Sequence, residues 1–240
     1  MRKVLLPIFL LVSALASATV SIVQDSGTKS CAAGTTCTQT NIVGSNITAG
    51  NLVIFMQGQT SASSNNTVTA VSGGSDNFVH CSQCRASANG VESDIWYVIG
   101  SAGGYRSITI TNSSGSVASS VALMEIAASG AGTFTIDDNE NAAYGTATTT
   151  PTATNFTLTG SNDFLLQLAK GSGASTMTAI TQSYTISVNS TTTLAYATKL
   201  NSITATGPQW TGTSVKYGLS SIAFAEHASG NKPRHKVTQN

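Results

Sequence analysis

From residue 19 onward the chain is a succession of short apolar runs separated by Gly, Ser, Asn and Thr, with no helical period anywhere in it. That is the pattern of strands and turns. It predicts first-half strands at 19–24, 36–43, 52–57, 67–72, 77–81, 94–99, 107–111 and 117–127, and second-half strands at 133–137, 152–159, 164–169, 177–181, 184–188, 192–198, 209–216 and 219–225. Ile108 and Ile110 alternate with Ser107, Thr109 and Thr111, so that strand should have one wet face. Leu52-Val53-Ile54-Phe55-Met56 and Val121-Ala122-Leu123-Met124 do not alternate. Unbroken runs of this kind predict central strands covered on both faces.

The apolar segments occur twice in the same order. Thr38 to Ile42 resembles Thr152 to Phe156, and Gly50 to Ile54 resembles Asn162 to Leu166. Thr69-Ala70-Val71 matches Thr178-Ala179-Ile180, and Phe78 then falls opposite Tyr184. Trp96 falls opposite Tyr196, and Ser119 to Glu125 matches Ser220 to Glu226. Antiparallel strands without helices must bury their apolar faces against another sheet. The expected fold is all-β: an antiparallel β-sandwich of jelly-roll type built from two pseudo-repeats, 19–129 and 130–227, packed as one unit. Two tandem sandwiches are the alternative.

The start of the chain has the form of a secretory signal. Arg2 and Lys3 precede an apolar run, and Ala16-Ser17-Ala18 offers a small-residue cleavage site. The run is shorter than the roughly 20 residues a spanning helix needs. Residues 1–18 are therefore expected to be a signal peptide, with no membrane span, and 228–240 a disordered basic tail. The expected location is secreted or cell-surface, with the periplasm as the other compartment. Charged residues make up 9% of the chain and the formal net charge is +1, so nothing resembles a basic footprint for nucleic acid. Ser and Thr supply the polar faces instead.

Three segments carry a resemblance. Thr48-Ala49-Gly50-Asn51-Leu52-Val53 enters one strand; Ile95-Trp96-Tyr97 is followed by Ala102-Gly103-Gly104 and a β-branched run; Asn162-Asp163-Phe164-Leu165-Leu166 opens the second half. This order resembles a loosely defined group of secreted or phage-associated bacterial β-sandwich proteins of unassigned function. The resemblance implies a fold and an extracellular setting and brings no catalytic residues with it.

The four cysteines are Cys31, Cys37, Cys81 and Cys84. An even number in an exported chain predicts disulfides, and local pairs, Cys31 with Cys37 and Cys81 with Cys84, are expected. The competing readings are a metal site that includes His80 and a redox Cys-x-x-Cys motif. The latter lacks the helix that lowers a thiol pKa. Asp137-Asp138-Asn139-Glu140 is an oxygen-rich cluster that could hold Ca²⁺, although its bland reading is a polar loop after a strand. No other cofactor is implied. Trp96 and Trp210 sit inside predicted strands and are expected in the core. Tyr105 and Tyr144 fall in predicted loops and are the candidate exposed rings for stacking on a sugar.

Two functions follow as expectations. The first is a non-catalytic exported sandwich, surface-structural or binding an extracellular polysaccharide or cell-surface component. The alternative is a secreted carboxylate-dependent glycoside hydrolase or similar hydrolase, which needs two carboxyls facing one cleft. Glu125, Glu226 and the 137–140 acids are its candidates.

Overall fold

Leu52, Ile54 and Met56 pack into one buried cluster, while Val53 and Phe55 from the same strand pack into another. The unbroken apolar run is thus a strand sandwiched between two cores, and the whole architecture is organised around this fact. The structure, a computed structural model, describes residues 19–60, 68–88, 90–113, 118–129, 132–160, 162–174, 176–190, 194–202 and 207–227. The expected signal segment 1–18 and the tail 228–240 lie outside the described residues.

The first half contains β1 (Ser21–Asp25), β2 (Lys29–Cys31), β3 (Thr36–Gln39), β4 (Leu52–Thr60), β5 (Val68–Gly73), β6 (Asp76–Asn77), β7 (Val79–His80), β8 (Ala86–Ala88), β9 (Val91–Val98), β10 (Ile108–Asn112) and β11 (Ser119–Ala127). The second contains β12 (Thr133–Thr148), β13 (Asp163–Gly171), β14 (Ala179–Ile180), β15 (Thr185–Val188), β16 (Ala195–Ser202), β17 (Trp210–Thr211) and β18 (Val215–His227). The described residues contain strands and no helix, and all named strand pairs are antiparallel.

The strands form four layers. An outer sheet, β3-β10-β5-β6, covers an inner seven-stranded sheet ordered β1-β11-β4-β9-β7, with β2 on β11 and β8 on β9. The second inner sheet runs β12-β18-β13-β16-β15, and the pair β14-β17 covers its far side. A segment that bridges Thr152 to Gln209 lies beside that pair. The strand orders of the inner sheets run in step: β12, β18, β13 and β16 occupy the places of β1, β11, β4 and β9.

Alternation then distributes the side chains among three cores. The inner sheets meet at a shared cluster that includes Ile54, Met56, Ile95 and Met124 from the first half and Phe164, Leu166, Tyr196 and Phe224 from the second. Phe55, Trp96 and Leu123 face the first outer sheet, where they meet Val71, Ile108 and Ile110. Leu165, Ala197 and Leu219 face outward in the second half, against Phe156, Met177 and Trp210. Each fully buried large apolar side chain contributes about 1.5–3 kcal/mol, so the shared cluster joins the halves as firmly as either outer core joins its own two layers.

The structure differs from the expected elements in several places. Residues 152–159, expected as a strand, form only an isolated bridge between Thr152 and Gln209. The strand expected at 77–81 divides: β6 pairs with β5 in the outer sheet, while β7 pairs with β9 in the inner one. The strand expected at 133–137 runs on to Thr148, because β18 offers a long partner that overrides the weak strand preference of Asp and Asn. The expected Trp96–Tyr196 match joins unlike environments, since Trp96 faces an outer core and Tyr196 the shared one. The Glu125–Glu226 match slips in the same way. Leu52 pairs with Ile126 and Phe164 with Phe224, so in register Glu125 corresponds to Ala223.

Candidate functional site

Strand β9 turns Ser93, Ile95 and Tyr97 toward the shared seam, so the alternate residues Glu92, Asp94 and Trp96 look the other way. Register places Gln57 of β4 beside Asp94 and Gln59 beside Glu92, and β7 sets His80 beside Trp96. The result is a polar cluster at one end of an apolar sheet. His80 Nε2 lies 2.8 Å from Asp94 Oδ1, and the imidazole stacks on the Trp96 ring at 4.5 Å. Trp96 Nε1 donates to Asp94 Oδ2 at 3.2 Å, and the backbone N–H of Ile95 donates to Asp94 Oδ1 at 3.0 Å. Arg85 pairs with Glu92 at 3.0 Å. Burial pushes the Glu92 carboxyl above its ordinary range; Arg85 and Gln59 offset part of this, and the Asp94 charge adds to it.

A His oriented by a carboxylate is a proton-handling pair. Here, however, Asp94 is 0% and Glu92 4% exposed. Glu92 Oε1, Gln57 Oε1 and Arg85 Nε are buried without a hydrogen-bond partner. The His80 and Arg85 side chains, at 29% and 25%, reach solvent. The sequence signal for this cluster was the two-residue spacing of Glu92, Asp94 and Trp96, which becomes visible only when β9 is known to be covered on both sides.

The cysteines form two disulfides, Cys31–Cys37 and Cys81–Cys84, with Cα–Cα distances of 5.9 and 5.3 Å. Both fit an oxidising compartment. Cys31 and Cys37 belong to the first outer core, Cys81 and Cys84 to the shared one.

The candidate sugar-stacking rings need correction. Tyr105 is only 7% exposed and packs over Gly73 and Gly74, where no side chain stands in its way. Tyr144 lies in β12, not in a loop, and its hydroxyl is held by both the N–H and the C=O of Thr152 at 2.9 and 2.6 Å. Tyr105 therefore has no free face for stacking, while Tyr144 is half-buried against the second outer core.

The acids at 137–140 lie inside β12 rather than in a loop, and they fasten the chain beside it. Asp137 accepts from the N–H groups of Thr159 and Gly160 at 2.7 and 3.1 Å, and from the Thr159 hydroxyl. Burial pushes Asp137 upward, yet these hydrogen bonds outweigh it and hold the carboxyl below its usual value. Asp138 accepts from the N–H groups of Asn139 and Thr157. Glu140 stands opposite Ser221 in register. Among the described residues no three His, Cys, Asp or Glu side chains group as a metal site.

Glu125 and Glu226 act in the same manner. Glu125 receives Thr48 N–H at 2.8 Å, the Asn51 amide at 2.6 Å, and the Gln24 amide. Glu226 receives the N–H and hydroxyl of Ser129, and the Asn162 amide at 2.6 Å. Asp76 receives Ala102 N–H at 2.9 Å together with the Ser101 hydroxyl, and Asp25 receives Gly27 N–H at 3.0 Å. Of the ten acids in the chain, seven accept hydrogen bonds from backbone N–H groups: Asp94 from its neighbour within β9, and Asp25, Asp76, Glu125, Asp137, Asp138 and Glu226 from the segments beside them.

Comparison with known proteins finds no matching family model, no matching curated protein and no matching solved structure. Among the described residues no helix is long and apolar enough to cross a membrane.

Proposed function

We propose that this chain is an exported, non-catalytic double sandwich that serves a surface-structural or polymer-binding role, with extracellular polysaccharide as the polymer class. The observation that carries this reading is the use of the acids. Six of the ten fasten loops through backbone N–H groups. An acid held in this way is a strut rather than a proton donor in a cleft. Of the four acids left for the alternative hydrolase, Glu92, Asp94 and Asp163 are buried and only Glu140 is half-exposed. Two buried disulfides and a hydroxyl-rich exterior accord with life outside the cell.

The same reading takes each half as a jelly roll. Counting the main first-half strands β1, β3, β4, β5, β6, β9, β10 and β11 in chain order, the inner sheet runs first, eighth, third, sixth, and the outer sheet second, seventh, fourth, fifth. That interleaving is what an eight-strand roll of two Greek keys produces. The second half repeats the inner order and keeps β17 beside β14 in the outer layer. A repeat fused through its inner sheets accounts for both.

The test is retention of the mature protein on insoluble polysaccharides, run beside light scattering of the protein alone. Retention supports binding, and concentration-dependent assembly without retention supports the structural role. Release of reducing sugar from any retained polymer would overturn the non-catalytic reading.

A further inference from the structure

Residues 153–160 run beside β12 without forming a strand. Their last part is fastened by side chains. Thr157 N–H donates to Asp138, and the N–H groups of Thr159 and Gly160 donate to Asp137 at 2.7 and 3.1 Å, with the Thr159 hydroxyl beside them. The stretch is a strap that lays Phe156 and Leu158 on the second outer core. Two carboxylates hold it where a sheet would use a ladder.

Under the strap lies Asp163, on the outward face of β13 with Leu165. It is 0% exposed, and neither oxygen receives a donated hydrogen bond. Gly160 covers it: a Cβ there would stand 1.9 Å from Asp163 Oδ1 and 2.9 Å from Ala225 Cβ. Gly160 is not among the positive-φ glycines, so the position needs the missing side chain rather than an unusual backbone. This close approach brings the Asp163 carboxyl into hydrogen-bond reach of Asp137. Two carboxyls can share a hydrogen bond only with one proton between them. Asp137, already holding three donors from the strap, keeps the charge, and Asp163 carries the proton.

The other charged groups nearby are engaged elsewhere. On β12, Asp138 is turned to Thr157 and Asn139. On β18, Ala225 is in register with Asp163, and Glu226 is held by Ser129 and Asn162. On β16, Lys199 stands opposite Leu165 with its ammonium 5.9 Å from the centre of the Tyr184 ring. The strap residues 157–160 carry no charge. Loss of the shared proton therefore sets two carboxylates side by side in a dry site, which is costly until water enters. Strands β13 and β18 are each paired on both sides, whereas 157–160 belongs to no strand. The strap is the part that can yield.

We propose that Asp137 and Asp163 form a proton-operated latch: with the shared proton in place the strap lies closed on the second outer core, and when the proton leaves to solvent residues 157–160 lift from β12 and uncover Leu158. Burial, then the hydrogen bond and charge of Asp137, push the Asp163 carboxyl up to about 7. The latch is thus closed below that pH and opens as pH rises through it.

The experiment is amide hydrogen exchange of the mature protein at about pH 5 and about pH 8, each rate divided by that of an unstructured chain at the same pH. Protection of 157–160 should fall by at least about tenfold at the higher pH, while that of β13 stays unchanged. Asp163→Asn puts an amide donor against Asp137 at every pH, and its strap should be equally protected at both. Should that variant not fold, a carboxyl-carbon titration of wild-type Asp163 provides the second measurement, and its midpoint should coincide with strap opening. Equal protection of the wild-type strap at both pH values, loss shared by β13, a fall that persists in Asp163→Asn, or an Asp163 carboxyl ionised throughout the range overturns the latch.

Discussion

Ser93 in β9 and Ser220 in β18 hold their hydroxyls 2.7 Å apart in the seam between the two halves, and neither side chain is exposed. A polar pair in an otherwise apolar seam is satisfied only at one relative position of the sheets. The nearby Gly218 lets them approach: a Cβ there would stand 3.3 Å from Ser93 Oγ and from Ala86 O.

Removing one hydroxyl leaves the other buried without its partner, which costs about 1–3 kcal/mol. Ser93→Ala and Ser220→Ala should each destabilise by that order. The double variant should lose clearly less than the sum, because both polar groups leave together. Urea unfolding of all four proteins checks this. Strict additivity would show that the two hydroxyls do not act as a pair.

Asp163 carries the second expectation. It is fully buried at the start of β13, and burial first, then the hydrogen bond and charge of Asp137, push its carboxyl up to about 7. Neither of its oxygens receives a donated hydrogen bond. The fold favours the protonated acid, so this stability is complete below the unfolded value of about 4 and is lost as pH rises through about 7. Asp137 acts oppositely, since its lowered carboxyl stabilises above about 4 and loses that contribution only in stronger acid. Thermal stability should therefore fall between about pH 5 and about pH 8. Asp163→Asn keeps the shape and a donor toward Asp137; it should flatten that slope and raise the melting temperature at the alkaline end. An unchanged slope in the variant would sink the assignment to Asp163.

Gly103 and Gly104 separate two costs that look alike in sequence. Both have positive φ, +71° and +80°. A Cβ on Gly104 meets nothing within 4 Å, whereas one on Gly103 would lie 2.6 Å from Ala49 N and 2.8 Å from Ile47 O. Gly104→Ala should cost only the left-handed penalty of about 1–2 kcal/mol. Gly103→Ala should exceed it by about 1–3 kcal/mol, because the backbone of the 47–49 loop must move. Chemical denaturation of the two variants decides, and equal losses would show that the close approach carries no weight.

Much of the fold was legible because strand periodicity is local. The unbroken run Leu52 to Met56 announced a sheet with two covered faces, and β4 is central in its sheet. The cysteine spacing pointed to both disulfides. The errors arose where one residue of register decides the outcome. Trp96 and Tyr196 look alike as aromatics in strands, but a side chain's face depends on its parity along the strand, and a slip by one reverses it. Tyr105 and Tyr144 illustrate a different limit. Gly73 and Gly74, far back in the chain, make room for the Tyr105 ring, and the Thr152 backbone, eight residues on, captures the Tyr144 hydroxyl once the chain has turned back on β12.

The sequence by itself determined an all-β chain with local disulfides and little charge, because propensity, alternation and cysteine spacing act over a few residues. Tertiary structure alone decided which face each strand turned to the seam, that six of the acids became loop struts, and that Lys170 came to lie against Gly58. The faces turned to the seam depend on contacts between segments more than a hundred residues apart, such as Gly58 with Lys170 and Ser93 with Ser220, and the acid struts reach as far as the 97 residues between Ser129 and Glu226. No local pattern encodes them, since they exist only once two sheets have chosen their register and packed.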